Sequence, residues 1–369
     1  MTTYFVGIGG NDGNAGTSWA LRKLTLNGAE DIPVVAGDTV YVGPGTYREL
    51  LTCDVSGESG LPITYIGDYT GANTDGVGGV VRITGSDDDK TSVRARCITS
   101  TNKNYRTFIG FTLDYASAAA IENTNGTNWV LENIYSTSNA TRNFRFSGDA
   151  TNAIVQNCYF LSGSYSNGIN FEDTSYHDNQ NITVQNCIIQ GSGNTDGYGI
   201  VSNKYGGVTI KNCTIYGCSK GIYVVNENAG QTVAVNNCII TNCLYGLQSF
   251  ALGFLVEDYN NVFLCNTART NVDVGANSLA YYPLYDSRWF HELVNGGNML
   301  SPFDLASYSE LVGVAGTSPT TTDMRGTSAI GGVREWGALE YDSTLEIEAG
   351  SGGTVIRNVP IPIFLKRRP

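Results

Sequence analysis

The chain has 369 residues, enough for one large domain or two ordinary ones. Its net charge of −12 excludes nucleic acid as a partner because an acidic surface repels polyphosphate. Only 15% of the residues are charged, while 45 are Gly and 22 are Tyr, a composition that suits an all-β protein with tight turns and disfavours a helical one. No run of 18 apolar residues occurs, so we predict no membrane-spanning helix.

The N-terminal part of the chain carries the first strand signals. The opening MTTYFVG has neither a basic region nor an apolar core, so we expect no secretory signal peptide. The sequence then predicts a strand over 37–42 and a turn over 43–47. Further strands are expected over 63–66 and 80–83.

A repeat of about 25 residues becomes regular after Phe108. Its best copies are VQNCYF at 155–160, VQNCII at 184–189, IKNCTI at 210–215 and VNNCII at 235–240. A Gly followed by Ile or Leu comes 8 to 12 residues after the Cys of each copy. Apolar and polar residues alternate within each copy, which is typical of short strands with one buried face.

We therefore predict a right-handed parallel β-helix of about eleven coils over residues 1–281, with three short strands in each coil. Equivalent residues of successive coils stack about 4.8 Å apart. Stacking predicts a thiol ladder inside the helix and a ladder of left-handed Asn residues at a turn. The thiol ladder consists of Cys158, Cys187, Cys213 and Cys238, and the Asn ladder of the residue before each. We expect all nine cysteines to be reduced, because no zinc-type spacing occurs.

Several motifs outside the repeat resemble a known group of proteins. These are TYFVG with GNDGNAGT at 10–17, AGDTVYV at 36–42 with PGTYRE at 44–49, and DMRG at 323–326 with WGALEY at 336–341. Over about residues 4–341 the chain resembles pectin-lyase-like β-helix proteins, including phage-borne structural members. The resemblance implies the fold, but it leaves the activity open because the group contains lyases, hydrolases, epimerases and phage structural proteins.

The regular repeat stops after Tyr281. We expect residues 282–349 to form an irregular cap on the helix end, because a terminal coil exposes strand edges. Residues 350–369 begin with GSGG and are expected to form a flexible link and an extended apolar and basic tail. We predict that this tail docks on another subunit, with folding back on its own helix as the alternative. The expected contact residues are Ile356, Val359, Ile361, Ile363, Phe364, Leu365, Lys366, Arg367 and Arg368.

Candidate catalytic residues lie on the longer loops of the repeat. Lyases of this fold need a Ca²⁺ cage of carboxylates beside a Lys or Arg base, and hydrolases need carboxylates on either side of the scissile bond. The candidates are Glu172, Asp173, His177, Asp178, Asp196 and Lys204, and a solvated loop is the alternative interpretation. Arg142 and Arg145 either flank a sugar or face water. No cofactor is expected, and Ca²⁺ only if the protein is a lyase.

The sequence favours a phage virion protein over an enzyme. A capsid decoration, spike or fibre module that contacts glycans would be made in the host cytoplasm without a signal peptide and would bind other virion proteins through its tail. The alternative is an extracellular polysaccharide lyase or glycoside hydrolase acting on an acidic polysaccharide, although the polygalacturonase-type catalytic pattern has no counterpart. A non-catalytic surface adhesin is a further alternative. Whether the helix forms a homotrimer is left open.

Overall fold

The computed structural model describes residues 1–32, 34–162, 166–177, 180–192, 197–225 and 231–281. Within them the chain is a solenoid of short parallel strands with one 3₁₀ turn, Trp19–Leu21, and one short helix, α1 (Leu26–Glu30). Neither of these two elements is long and apolar enough to cross a membrane.

The 28 strands, numbered in chain order, form three parallel sheets that each receive one strand per coil. Sheet 1 contains β1 (Thr3–Val6), β2 (Thr39–Val42), β5 (Ile63–Gly67), β8 (Arg106–Ile109), β11 (Val130–Glu132), β14 (Ile154–Gln156), β17 (Ile182–Gln185), β20 (Val208–Lys211), β23 (Val233–Asn236) and β26 (Leu255–Asp258). Sheet 2 contains β3 (Gly45–Tyr47), β6 (Val81–Thr84), β9 (Thr112–Asp114), β12 (Tyr135–Thr137), β15 (Tyr159–Leu161), β18 (Ile188–Gln190), β21 (Thr214–Tyr216), β24 (Ile239–Thr241) and β27 (Asn261–Phe263). Sheet 3 contains β4 (Leu51–Cys53), β7 (Arg96–Thr101), β10 (Ala119–Thr124), β13 (Arg142–Ser147), β16 (Asn167–His177), β19 (Tyr198–Tyr205), β22 (Lys220–Val224), β25 (Tyr245–Ser249) and β28 (Thr267–Thr270).

The described residues form about nine coils, which corrects the expected eleven. The estimate assumed about 25 residues per coil throughout. Thr3 pairs with Thr39, and Ile63 pairs with Arg106, so these early coils are much longer than the regular repeat. Their additional residues lie in connections between strands and add no coil. The prediction of an all-β parallel helix is confirmed.

Equivalent apolar side chains stack along the inside of the solenoid. On sheet 1 the rings of Tyr65, Phe108 and Trp129 follow one another with centroid distances of 5.5 and 5.4 Å. On sheet 3, Ile200 pairs in register with Ile222, and both side chains are almost completely buried. The core is thus a set of ladders parallel to the helix axis, because in-register pairing places each residue above its equivalent.

The predicted thiol ladder is confirmed. Cys158, Cys187, Cys213 and Cys238 are all fully buried, and all nine cysteines are free thiols. A second ladder, which the sequence analysis missed, consists of Cys218, Cys243 and Cys265 on the last coils. Burial raises the pKa of Cys53 and Cys97 to about 12, so these two side chains remain protonated at neutral pH.

The predicted Asn ladder is also confirmed. The four Asn residues before the thiols of the first ladder have φ between 52° and 55°, in the left-handed region. Asn186 donates a hydrogen bond from Nδ2 to Oδ1 of Asn157 at 3.3 Å. Asn tolerates this backbone conformation better than other side chains, which explains why the same residue type recurs at the turn between sheets 1 and 2.

A buried ion pair lies at the N-terminal end of the solenoid, beneath α1. Glu30, the last residue of α1, pairs with Arg106, and both side chains are almost completely buried. The Tyr65 hydroxyl donates to the Glu30 carboxylate at 2.7 Å, and the Arg106 guanidinium lies 5.4 Å from the Tyr65 ring centroid. Short α1 thereby covers the open end of the core with a hydrogen-bonded charge pair.

The predicted cap at 282–349 and the tail at 350–369 lie outside the described residues. The domain boundaries therefore stay predictions, as do the contact residues of the tail. The described strands end at Thr270, within the range predicted for the β-helix.

The left-handed turn gives a matched pair of substitutions at Asn157. Both Asn157→Gly and Asn157→Ala remove the amide ladder contact, but only Ala adds the cost of a Cβ atom at positive φ. We expect Ala to destabilise the protein by about 1 kcal/mol more than Gly. The measurement is equilibrium denaturation. Asn203 is the control, because it is a strand residue without positive φ. There, Gly should destabilise the protein more than Ala.

The buried ion pair gives a second stability prediction. Glu30→Gln leaves the Arg106 charge buried without a carboxylate, and we expect a loss of about 3–5 kcal/mol in the free energy of unfolding. The double variant Glu30→Leu with Arg106→Met removes both charges and should lose less than the single variant. Urea denaturation measures both. A double variant less stable than Glu30→Gln would contradict this account.

Candidate functional site

Sheet 3 contains the longest strands of the solenoid, β16 with 11 residues and β19 with 8. Its outer side carries a row of cationic, acidic and tyrosine side chains that we call the cation–tyrosine face. The face consists of Arg96, Glu122, Arg142, Arg145, Glu172, Tyr198, Lys220, Tyr223 and Tyr245. Each of these residues is partly exposed, while their neighbours in the strands are buried, with the exception of Asp173 beside Glu172.

Closely stacked glycine residues on sheet 3 position three of the side chains of this face. Gly168, Gly199, Gly221 and Gly246 stack in successive coils, and a Cβ atom on Gly199 would lie 2.3 Å from the carbonyl oxygen of Gly221. Only Gly fits such close backbone contact. The residue before each Gly points outward, so Tyr198, Lys220 and Tyr245 stack directly on one another.

Arginine and glutamate side chains alternate along the N-terminal half of the face. Arg96 Nε lies 2.8 Å from Glu122 Oε2, and Arg145 Nη1 lies 3.3 Å from Glu122 Oε1. Arg145 Nε lies 2.9 Å from Glu172 Oε1, and Arg142 Nη2 lies 2.7 Å from the same oxygen. Each carboxylate therefore binds two guanidinium groups from neighbouring coils.

These ion pairs fix the protonation states of the network. Burial alone would raise the pKa of Glu122, but the hydrogen bonds and charges of Arg96 and Arg145 outweigh burial and hold this pKa below its ordinary value. Burial alone would lower the pKa of Arg145, and Glu122 and Glu172 outweigh it and raise that pKa. Glu122 is consequently ionised at neutral pH and is not a proton donor.

The C-terminal half of the face is aromatic and cationic. Lys220 Nζ lies 3.3 Å from the ring centroid of Tyr223 and 5.1 Å from that of Tyr198. The two rings meet edge to face, with centroids 5.7 Å apart. With four cations and two carboxylates, the cation–tyrosine face has a net charge of +2 in a chain whose net charge is −12.

A wide β-bulge lies next to this face. Glu172 pairs with Asn203, and the next pair is His177 with Tyr205, so residues 173–176 of β16 stand opposite Lys204 alone. Lys204 has φ 67°, which is uncommon for a residue with a Cβ atom. Its ammonium group lies 5.3 Å from the ring centroid of Tyr176. Bulges of this kind commonly change the direction of side chains near functional sites.

The bulge places His177 between two carboxylates. His177 Nδ1 lies 3.1 Å from Asp149 Oδ1, and Nε2 lies 3.5 Å from Asp173 Oδ2. The imidazole packs against Tyr205 with a centroid distance of 5.1 Å, and only 11% of the His177 side chain is exposed. Burial, followed by the charges of Asp173 and Asp149, raises the pKa of Tyr205. This arrangement ties neighbouring coils together and leaves little of the imidazole for a substrate.

The structure divides the candidate residues predicted from sequence into three groups. Asp173, His177 and Lys204 belong to the bulge, and Glu172 belongs to the arginine–glutamate network on the neighbouring face. Asp178 and Asp196 lie outside the described residues. Arg142 and Arg145, which either flank a sugar or face water, are ion-paired to glutamates.

Tyr198, Lys220, Tyr223 and Tyr245 were not predicted from the sequence. For Tyr198, Lys220 and Tyr245 the usable signal was their position immediately before the Gly-Ile or Gly-Leu of a repeat, because this position stacks on the outer side of sheet 3. Asp149 was also missed, since only the coil stacking brings it to His177.

The donor set of the described residues does not fit a calcium cage. Ca²⁺ takes six to eight oxygen ligands, mostly carboxylates. Both glutamates of the cation–tyrosine face are bound to arginines, and within the described ranges no group of three or more carboxylate, imidazole or thiol side chains is arranged to hold a metal ion.

Comparisons with known proteins support the same architecture. A family model described as the right handed beta helix region matches residues 175–281. Pectate lyase Pel9A has a similar structure, with a TM-score of 0.56 and 15% identity over 93% of this chain and 97% of that chain. XylC, in its complex with xylose, has a TM-score of 0.52 and 12% identity over 74% of this chain and 70% of that chain. This chain is a right-handed parallel β-helix. No curated protein matches the chain, and at these identities the likeness to solved structures shows the fold alone.

The ion pairs of Glu122 give a pH prediction. Because the folded-state pKa is lowered, Glu122 stabilises the fold above the ordinary Glu pKa of about 4.3, and this stabilisation is lost as the pH falls through the folded-state value. Glu122→Gln should therefore be less stable than the parent protein at pH 7, and the difference should shrink at pH 3. Denaturation at several pH values measures it. Glu132→Gln is the control, because Glu132 has no ion pair among the described residues, and an equal pH trend there would contradict the prediction.

Proposed function

We propose that this protein binds an acidic polysaccharide along the cation–tyrosine face and cleaves it by elimination, as a polysaccharide lyase does. The observation that carries the proposal is the face itself, a positively charged row with tyrosine rings on a strongly acidic protein. Tyrosine rings offer a flat apolar surface with a polar tip, which suits stacking against a sugar ring. Guanidinium and ammonium groups pair with carboxylates of the ligand.

The dimensions of the face suit a chain-like ligand. Arg96 lies on β7 and Tyr245 on β25, six strands apart in sheet 3. At about 4.8 Å per strand, the row is roughly 29 Å long. A linear polysaccharide along the helix axis would contact the side chains of several coils at once, whereas a monosaccharide would contact only one or two.

The charges of the face favour elimination over hydrolysis. A glycoside hydrolase needs one carboxyl group that is protonated and donates its proton to the leaving group. Glu122 and Glu172 are each bound to two guanidinium groups, and the pKa of Glu122 is lowered. Neither residue is suited to that role. Cationic groups, in contrast, stabilise the negative charge that develops when a proton passes from the carbon next to a uronate carboxylate to a basic side chain and the bond to the leaving oxygen breaks.

The likeness to solved structures supports a carbohydrate ligand. One similar structure is a pectate lyase and the other contains xylose. Fold by itself does not determine activity. The proposal therefore rests on the cation–tyrosine face, and the fold only supports it.

The other functions stay predictions from sequence. The virion role was inferred from the expected lack of a signal peptide, from the resemblance to phage-borne members and from the tail at 350–369. The tail lies outside the described residues, and the two similar structures reported above offer the virion role no support. The virion localisation and the adhesin function likewise stay predictions, and whether the helix forms a homotrimer stays open.

The test combines binding and cleavage. Purified full-length protein is incubated with a panel of acidic and neutral polysaccharides, and the absorbance of unsaturated uronates and the release of reducing ends are followed. We expect acidic chains to bind and to yield both signals. Tyr223→Ala should weaken binding about tenfold, equivalent to about 1.4 kcal/mol, because it removes a ring of the face.

Tyr41→Ala is the matched control. Tyr41 is a partly buried tyrosine on the outer side of sheet 1, where its ring lies 6.1 Å from that of Phe5. Its replacement should leave polysaccharide binding unchanged. Reducing ends without unsaturated products would indicate hydrolysis and contradict the elimination step. Absence of binding to every polysaccharide tested would contradict the proposal as a whole.

A further inference from the structure

We infer that Lys220 is the carboxylate subsite of the cation–tyrosine face, and that it binds the uronate group of the polysaccharide directly, without a bridging divalent cation. This inference rests on the proposed function, because it assigns the part of the ligand that one position on the face recognises. Five features of the described residues support it: the aromatic rings around the ammonium group, its lack of an acidic partner, its partial burial, its stacking neighbours and the ion pairing of the nearby carboxylates.

Lys220 is held in place by aromatic rings. Its ammonium group lies 3.3 Å from the Tyr223 ring centroid and 5.1 Å from that of Tyr198. The negative faces of aromatic rings attract a cation and restrict its position. The charge of Lys220 is therefore presented at a defined place on the face.

Lys220 differs from the arginines of the face in having an unneutralised charge. Arg96, Arg142 and Arg145 all pair with glutamates. Among the described residues, no carboxylate forms an ion pair with Lys220. Tyrosine rings orient the ammonium group but do not neutralise it. An anionic group of a ligand would supply the missing counter-charge.

Partial burial strengthens this preference for an anion. The Lys220 side chain is partly buried, so its ammonium group has lost part of its hydration, and burial lowers its pKa against an opposing contribution from Tyr198. A group that is already partly desolvated loses less hydration when it pairs with a carboxylate. The bound carboxylate in turn favours the charged form of the lysine.

The neighbours of Lys220 fit a sugar ring on either side. Tyr198 and Tyr245 occupy the equivalent position in the preceding and following coils. Coils are about 4.8 Å apart, so a ring that stacks on either tyrosine lies within reach of the ammonium group. A uronate in this place would contact one tyrosine through its ring and Lys220 through its carboxylate.

A bridging cation has no suitable donors on this face. Glu122 Oε1 accepts a hydrogen bond from Arg96 Nη2, and Glu122 Oε2 lies 2.8 Å from Arg96 Nε. Glu172 Oε1 lies within 3 Å of nitrogens of both Arg142 and Arg145. The remaining oxygen, Glu172 Oε2, accepts a hydrogen bond from Asn170. A divalent cation would have to displace these partners, whereas the ammonium group of Lys220 needs no such rearrangement.

The experiment compares one polysaccharide in two forms, polygalacturonate and the same polymer with its carboxyl groups reduced to alcohols. Binding of each form to the full-length protein is measured by calorimetry with EDTA and with added Ca²⁺. We expect the acidic form to bind at least tenfold more tightly than the reduced form, equally well under both conditions. Lys220→Gln should weaken binding of the acidic form about tenfold and leave binding of the reduced form unchanged.

Two further variants complete the test. Lys220→Arg keeps the charge and should retain most of the affinity, which shows that the effect of Lys220→Gln does not come from misfolding. Lys211→Gln is the matched control, because Lys211 is a partly buried lysine on the outer side of sheet 1 with a lowered pKa of the same physical origin. It should bind the acidic form as the parent protein does.

The outcomes separate the inference from the proposed function. Unchanged affinity in Lys220→Gln, or loss of binding in EDTA, would overturn the inference while polysaccharide binding, and with it the proposed function, stands. Equal binding of the acidic and reduced forms would also overturn it. Failure of both forms and of every other polysaccharide to bind would overturn the proposed function and the inference together.

Discussion

In-register hydrogen bonding between successive coils is the constraint on which the rest of this structure depends. It places each paired strand residue about 4.8 Å from its equivalent in the next coil, so that equivalent side chains form ladders along the helix axis. Inside, this produces the thiol and aromatic ladders. At the turn between sheets 1 and 2 it produces the left-handed Asn ladder. Outside, it places residues from separate repeats side by side on one face.

The same constraint explains how an acidic protein acquires a positively charged face. Arg96, Glu122 and Arg145 are far apart in sequence but belong to adjacent strands of sheet 3. Each guanidinium group meets a carboxylate of a neighbouring coil, and the cations outnumber the carboxylates by two. Because Lys220 lies where aromatic rings replace carboxylates, its charge has no carboxylate ion pair among the described residues.

The bulge shows the opposite case, in which stacking is interrupted. Four residues of β16 stand opposite Lys204, and the interruption brings Asp149, Asp173 and His177 together. The sequence pointed to Asp173 and His177 because they lie on one of the longer loops of the repeat. It gave no indication that the imidazole would be largely buried against Tyr205, because burial depends on the adjacent coils.

The sequence by itself determined the fold, the buried thiols and the Asn turn. These features follow from the local alternation of apolar and polar residues and from the backbone preference of Asn, both of which recur in every repeat. Only the tertiary structure decided the number of coils, the pairing of Glu122 and Glu172 with arginines, and the position of Lys220 between tyrosine rings. Such features depend on which residues of unequal coils come into register, and register is set by hydrogen bonding between strands that are distant in sequence.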